Sequence, residues 1–176
     1  MSPILREAGV TEFPRPRRSR FLGDIPSPMP GTILVAVDFT AVSLKALDHA
    51  LQLAKQTEAS IVLLHALDPV YTGAFVNLVT KQKVRRQTRH RALKMIRELA
   101  ESRMDQGVTI KCVVRDGVPE YEILRFAETE GVNLIVLGRQ PRNPLSRLLV
   151  GSVSDDVADL SSCPVLVVNC RASTPR

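Results

Sequence analysis

From residue 32 onward the sequence alternates between two hydrophobic periods, and that alternation narrows the fold more than any other feature. TILVAVD (32–38) is a β-branched, aliphatic run without polar alternation, as a strand covered on both faces requires. LKALDHALQLAK follows, with Leu44, Leu47, Leu51 and Ala54 at helical spacing and Ala50 widening the stripe. SIVLLHAL (60–67) is a second strand, and residues 77–105 form a long helix whose apolar face is Val84, Thr88, Ala92, Met95, Ile96 and Leu99. TIKCVVR (109–115) is a third strand. Gly117 and Pro119 then mark a turn and a helix start for EYEILRFAETE, since proline suits the first helical position. NLIVLG (133–138), a helix over 151–161 and PVLVVN (164–169) complete the series. Strands alternating with helices predict βαβ units, hence an α/β fold with a parallel sheet and helices on both faces. In such doubly wound sheets ligands bind beyond the carboxyl ends of the strands, where strand order reverses. Three places qualify: Asp38, the segment Ala66–Asp68, and the loop 138–152.

Composition limits the partners. A chain of 176 residues has room for one domain with a real core. Aromatics are 4% of residues and Trp is absent, so the core is aliphatic and stacking platforms for single-stranded nucleic acid are not expected. The formal net charge of +6 admits anionic partners such as nucleic acid, acidic lipid or nucleotide phosphate; nucleic acid is not the expected one, though the basic patches leave it open. Its basic residues gather at Arg15–Arg20 and over Lys81–Arg97, and such runs are by default solvated faces. Residues 1–30, with FPRPRRSRFLGDIPSPMP, are too rich in Pro and Arg to bury a core. They are expected to be a disordered basic arm, dispensable for folding, ahead of a domain at 31–170 and a tail at 171–176. No apolar stretch approaches the roughly 18 residues of a membrane span, and the start of the chain lacks a signal peptide's apolar core, so the expected location is cytoplasmic. Cys112, Cys163 and Cys170 are odd in number and without metal-ligand spacing, which reads as reduced thiols. His49, His65 and His90 are scattered as well, and no metal site is expected.

Three segments carry a resemblance: ILVAVDFTAVSLKALDHALQLAKQTEASIVLLHALDP, GVPEYEILRFAETEGVNLIVLGR and LSRLLVGSVSDDVADLSSCPVLVV. Together they resemble the universal stress protein family, collinearly over residues 31–169. The resemblance implies a five-stranded parallel sheet in the order 3-2-1-4-5, of the adenine nucleotide alpha hydrolase-like type, and frequent dimers. One branch of the family binds ATP through a signature Gly-x2-Gly-x9-Gly-Ser/Thr. Gly138, Gly151 and Ser152 fall on three of its four positions, and Pro141 takes the place of the second glycine. Glycines let backbone approach a phosphate oxygen and present consecutive N–H donors. Gly151, Ser152 and Val153 open a helix, whose N-terminus favours anions; the same residues also suit a tight loop and an ordinary serine cap. By the resemblance, Asp38 would accept from a ribose hydroxyl or nearby backbone, and Ala66 would offer backbone groups to adenine. Arg139, Arg142 and Arg147 could contact phosphate bidentately.

Nothing in the sequence is catalytic by type. It has neither a Gly-x-Ser-x-Gly elbow nor a Walker A loop. The expected function is therefore a universal-stress-type regulator that binds adenine nucleotide weakly, with at most slow ATP hydrolysis. One alternative is an interaction module that recruits an anionic partner through the two basic patches. A nucleotide hydrolase on the same fold is the other, and it lacks a visible base. A response-regulator receiver would need an acidic pair after the first strand and a lysine after the fifth, which VDFT and PVLVVN do not supply. Because PVLVV would lie at the sheet edge, where bare aliphatic strands invite aggregation unless paired, a homodimer through residues 164–169 is expected.

Overall fold

The computed structural model describes residues 31–68, 78–103, 107–139 and 153–169. The expected arm, Pro141, Gly151, Ser152, Arg142, Arg147, Cys170 and the tail 171–176 lie outside the described residues. Nine elements alternate along the chain: β1 (Thr32–Ala36), α1 (Ala41–Thr57), β2 (Ser60–Leu67), α2 (Leu78–Glu101), β3 (Ile110–Asp116), α3 (Pro119–Thr129), β4 (Leu134–Arg139), α4 (Val153–Leu160) and β5 (Val165–Asn169). The five strands form one parallel sheet in the order β3-β2-β1-β4-β5. Strand order thus reverses between β1 and β4, as the resemblance implies.

Side-chain alternation along each strand divides the core in two. Ile33, Val35, Ile61 and Leu63 point to one face, where they pack with Leu47, Leu51, Ala92 and Ile96 of α1 and α2. Leu34, Val62, Leu64, Ile135 and Leu137 point to the other, against Ile123, Phe126 and Val157 of α3 and α4. Both faces being covered is why the strands read as unbroken aliphatic runs.

The long helix departs from its expected packing. Val84 and Met95 are 39% and 40% exposed, while Ala92, Ile96 and Ala100 are buried. Only the second half of α2 lies over the sheet. Upstream, the inward stripe carries Arg85 and Arg89, whose guanidiniums reach Asp116 Oδ2 at 3.3 and 2.8 Å. Val84 lies about 120° around the helix from Ile96 at roughly 100° per residue, off the packed stripe. Among the described residues no helix is long and apolar enough to cross a membrane.

Candidate functional site

The reversal point opens a cleft of about 240 Å³ at the carboxyl ends of the strands. Asp38 lines it from beyond β1, His65 and Ala66 from β2, Gly138 from β4, Pro119 and Ile123 from α3, and Val153 and Ser154 from α4. Asp38, Ala66, Gly138 and Val153, far apart in sequence, are therefore brought to one place. Arg139 stands behind this lining, and Gly151 and Ser152 lie outside the described residues.

Asp38 sits in a tight turn that ends β1 and starts α1. Its Oδ1 accepts from the Thr40 N–H at 3.0 Å and the Thr40 hydroxyl at 2.6 Å. Thr40 is the N-cap of α1 and accepts from the Ser43 N–H at 3.3 Å. Ser43, buried, accepts from the Asp38 N–H and donates to the Thr40 carbonyl. Partial burial pushes the Asp38 carboxyl up, but the hydrogen bonds from Ser43 and Thr40 together outweigh it and hold the group below its ordinary value. Asp38 is therefore an ionised acceptor at neutral pH. The loop-capping role of Asp38 is thus seen directly, and the same residue lines the cleft.

Between Asp38 and Thr40 the backbone is bent into the left-handed region, with Phe39 at φ 63°, an uncommon conformation for a bulky residue. The Phe39 ring lies 4.8 Å from the His65 ring, tilted by 52°. His65 Nδ1 donates to the Val37 carbonyl at 2.7 Å; a carbonyl only accepts, so the Nδ1–H tautomer is the one present.

That bond changes the neighbouring ladder. β1 and β2 pair up to Ala36↔Leu64, and the Val37 N–H donates to the Leu64 carbonyl at 2.9 Å. A regular parallel ladder would continue with the Ala66 N–H donating to the Val37 carbonyl. Here the His65 ring occupies that carbonyl instead. The Leu67 carbonyl accepts from Gly117 on the β3 side, so the N–H and C=O of Ala66 face the opposite, β1 side. They present a donor and an acceptor, side by side, to the cleft. Sequence reading assigned Ala66 but missed His65, Phe39, Thr40 and Ser43. The spacing of Thr40 and Ser43 after Asp38 is a capping signal visible in DFTAVS.

Gly138 has a packing reason to be glycine. A Cβ there would lie 2.7 Å from the carbonyl carbon and oxygen of Val42 and 2.8 Å from Ser43 N. β4 thus runs directly beneath the first turn of α1, and tight packing accounts for this residue without a phosphate. Arg139 is also engaged: its Nε donates to Ser154 Oγ at 3.4 Å and its guanidinium pairs with Asp155. It ties β4 to the first turn of α4, which carries Asp155 and Asp156.

A family model described as the universal stress protein family matches residues 29–169. The chain is 35% identical over 143 residues to universal stress protein YxiE of Bacillus subtilis, covering 77% of this chain and 97% of that protein. Its structure is similar to that of MJ0577, a universal stress protein of Methanocaldococcus jannaschii, with a TM-score of 0.71 and 28% identity over 82% of this chain and 99% of that one. A universal stress protein solved in complex with cAMP shares the fold, with a TM-score of 0.60 at 23% identity over 80% of this chain and 98% of that one.

Proposed function

The chain belongs to the universal stress protein family, and we propose that it is a regulator that holds an adenine nucleotide weakly in the cleft at the β1–β4 reversal, without turning it over. The observation that carries this reading is the open backbone edge of Ala66, freed by the His65–Val37 bond and facing the same cleft as Asp38. An N–H beside a C=O matches an adenine edge, which offers a ring-nitrogen acceptor next to an amino donor. Asp38 supplies an ionised acceptor for a ribose hydroxyl. The complex of a family member with cAMP is consistent with an adenosine-shaped occupant. Val153 and Ser154, at the amino end of α4, border the side on which the phosphates would lie.

The test is Ala66→Pro. This substitution removes one N–H on the β1 side and leaves the β2–β3 ladder its donors. Affinity for ATP and for AMP, measured by titration calorimetry, is expected to fall about tenfold, as for loss of one hydrogen bond. His65→Leu is expected to act in the same direction by returning the Val37 carbonyl to Ala66. Wild-type affinity in the Ala66→Pro protein would overturn the adenine-edge reading.

We also propose a homodimer through β5. Val165–Asn169 is the last strand of the sheet, and Leu166 is 40% exposed. The Pro164 carbonyl accepts from Ile135 on the β4 side, so backbone groups of Val165 and Val167 face the open edge. Val167→Pro therefore removes an edge donor and spares the β4–β5 ladder. By light scattering at micromolar concentration, the wild type is expected as a dimer and the variant as a monomer with a nearly unchanged melting temperature. A monomeric wild type would dismiss the edge pairing.

A further inference from the structure

The first half of α2 breaks the local rules for a stable helix. Across Leu78–Glu101 there are eight Lys and Arg and two Glu, a surplus of six that equals the formal charge of the whole chain. The first turn has no acidic residue, and both glutamates, Glu98 and Glu101, fall at the carboxyl end. That distribution opposes the helix dipole at both ends. Cations at three- and four-residue spacing also repel one another. The fold compensates only partly: Asp116 takes Arg85 and Arg89, and Glu98 takes Lys94 at 3.7 Å. Among the described residues Lys83, Arg86, Arg91 and Arg97 have no ion pair. Local violations without compensation inside a fold mark positions kept for another reason.

The surplus is arranged along a line. Lys83, Arg86, His90, Lys94 and Arg97 follow at steps of three, four, four and three. They form one outward stripe about 21 Å long at roughly 1.5 Å per residue, and all five are exposed. Arg85 and Arg89 meet Asp116, the last residue of β3. Lys83 therefore lies beyond the last residue of β3, and the stripe as a whole lies on the side of the helix opposite Ala92 and Ile96.

We propose that this stripe docks the phosphate backbone of double-stranded nucleic acid, without reading its sequence. A linear row of cations complements a linear polyanion, and a duplex carries about one charge per 1.7 Å of its axis. Single strands are a poorer match, because the stripe contains no Phe, Tyr or Trp on which a base could stack, and His90 is its one ring. A lipid surface is poorer still. The helix turns Ala92, Ile96 and Ala100 inward. Its exposed apolar residues among those described, Val84 and Met95, stand about three turns apart, too few and too scattered for an inserting face.

The experiment is fluorescence anisotropy of a short mixed-sequence DNA duplex with the full chain, free of nucleotide. About four phosphate contacts predict a log–log salt slope near −3.6, an affinity loss of about 100-fold between about 50 and about 200 mM salt. A variant carrying Lys83→Gln, Arg86→Gln, Lys94→Gln and Arg97→Gln is expected to lose that binding with an unchanged melting temperature. A variant with Arg15, Arg17, Arg18 and Arg20 changed to Gln is expected to keep it. Three results would overturn the proposal: no binding at the lower salt, binding retained by the helix variant, or tighter binding of polyglutamate than of duplex at equal salt. Since no nucleotide is present, each of these leaves the adenine-cleft reading standing on its own test.

Discussion

Gly138→Val is expected to destabilise the domain by about 3 kcal/mol, in the range of overpacking at a site that cannot relax. At about 2–4 °C per kcal/mol for a chain of this size, the melting temperature should fall by roughly 6–12 °C. The reason is what the new atoms would meet. A Cβ at Gly138 already lies 2.7 Å from backbone atoms of Val42 and 2.8 Å from Ser43 N. Backbone in the first turn of a helix cannot move aside as a side-chain tip can. To make room, α1 must lift from β4, and it would take with it the Thr40–Ser43 cap and the Asp38 turn. Gly131 provides the contrast. It has φ 63° and open space around a would-be Cβ, so Gly131→Ala meets only the cost of a left-handed L-residue, about 1–2 kcal/mol. Thermal unfolding in the absence of nucleotide separates packing from ligand effects. A Gly138→Val protein that melts within a degree of the wild type would mean that this glycine serves an occupant of the cleft and not the helix–strand contact.

That residue also shows where sequence reading stops. The change of hydrophobic period from strand to helix is local information, so each strand lies within about two residues of its expected span, while α1 starts three residues earlier and α2 ends four residues earlier than expected. Family resemblance then supplied the strand order. Convergence of Asp38, Ala66, Gly138 and Val153 followed from the general rule about carboxyl ends of parallel strands. What could not be read depends on pairs distant in sequence. His65 and Val37 are 28 residues apart, and only the register of β1 against β2 makes one ring displace a ladder bond. The nearness of Gly138 to Val42 depends on how closely α1 crosses β4. The helix α2 misled for a related reason. Its pattern gave an apolar face containing Val84 and Met95, but the sheet is shorter than the helix, and the packed stripe runs through Ala92, Ile96 and Ala100.

Pro141→Gly is expected to tighten ATP by about 10- to 150-fold and to leave adenosine unchanged. The magnitude is that of one hydrogen bond to a charged group, about 1.5–3 kcal/mol. By the resemblance, Pro141 would stand at the second glycine of the ATP signature, and a proline has no N–H to donate. It also biases Gln140 toward extended backbone, whatever a phosphate would prefer. A neighbouring guanidinium could replace the lost donor; Arg142 lies outside the described residues, and Arg139, two residues before Pro141, is the one whose partners are described. Its guanidinium is already held by Asp155, however, with Ser154 taking Nε. Reaching a phosphate would mean breaking that pair and releasing Asp155, an anion, beside the same oxygens. Wild-type ATP should therefore gain little over adenosine from Arg139 or from the backbone at Pro141. Calorimetric titration of both ligands into both proteins decides the matter. Gain confined to ATP in the glycine variant places the phosphates on this loop. Equal ATP affinity in the two proteins, with adenosine still bound, would show that the phosphates point elsewhere and that the proline is neutral to binding.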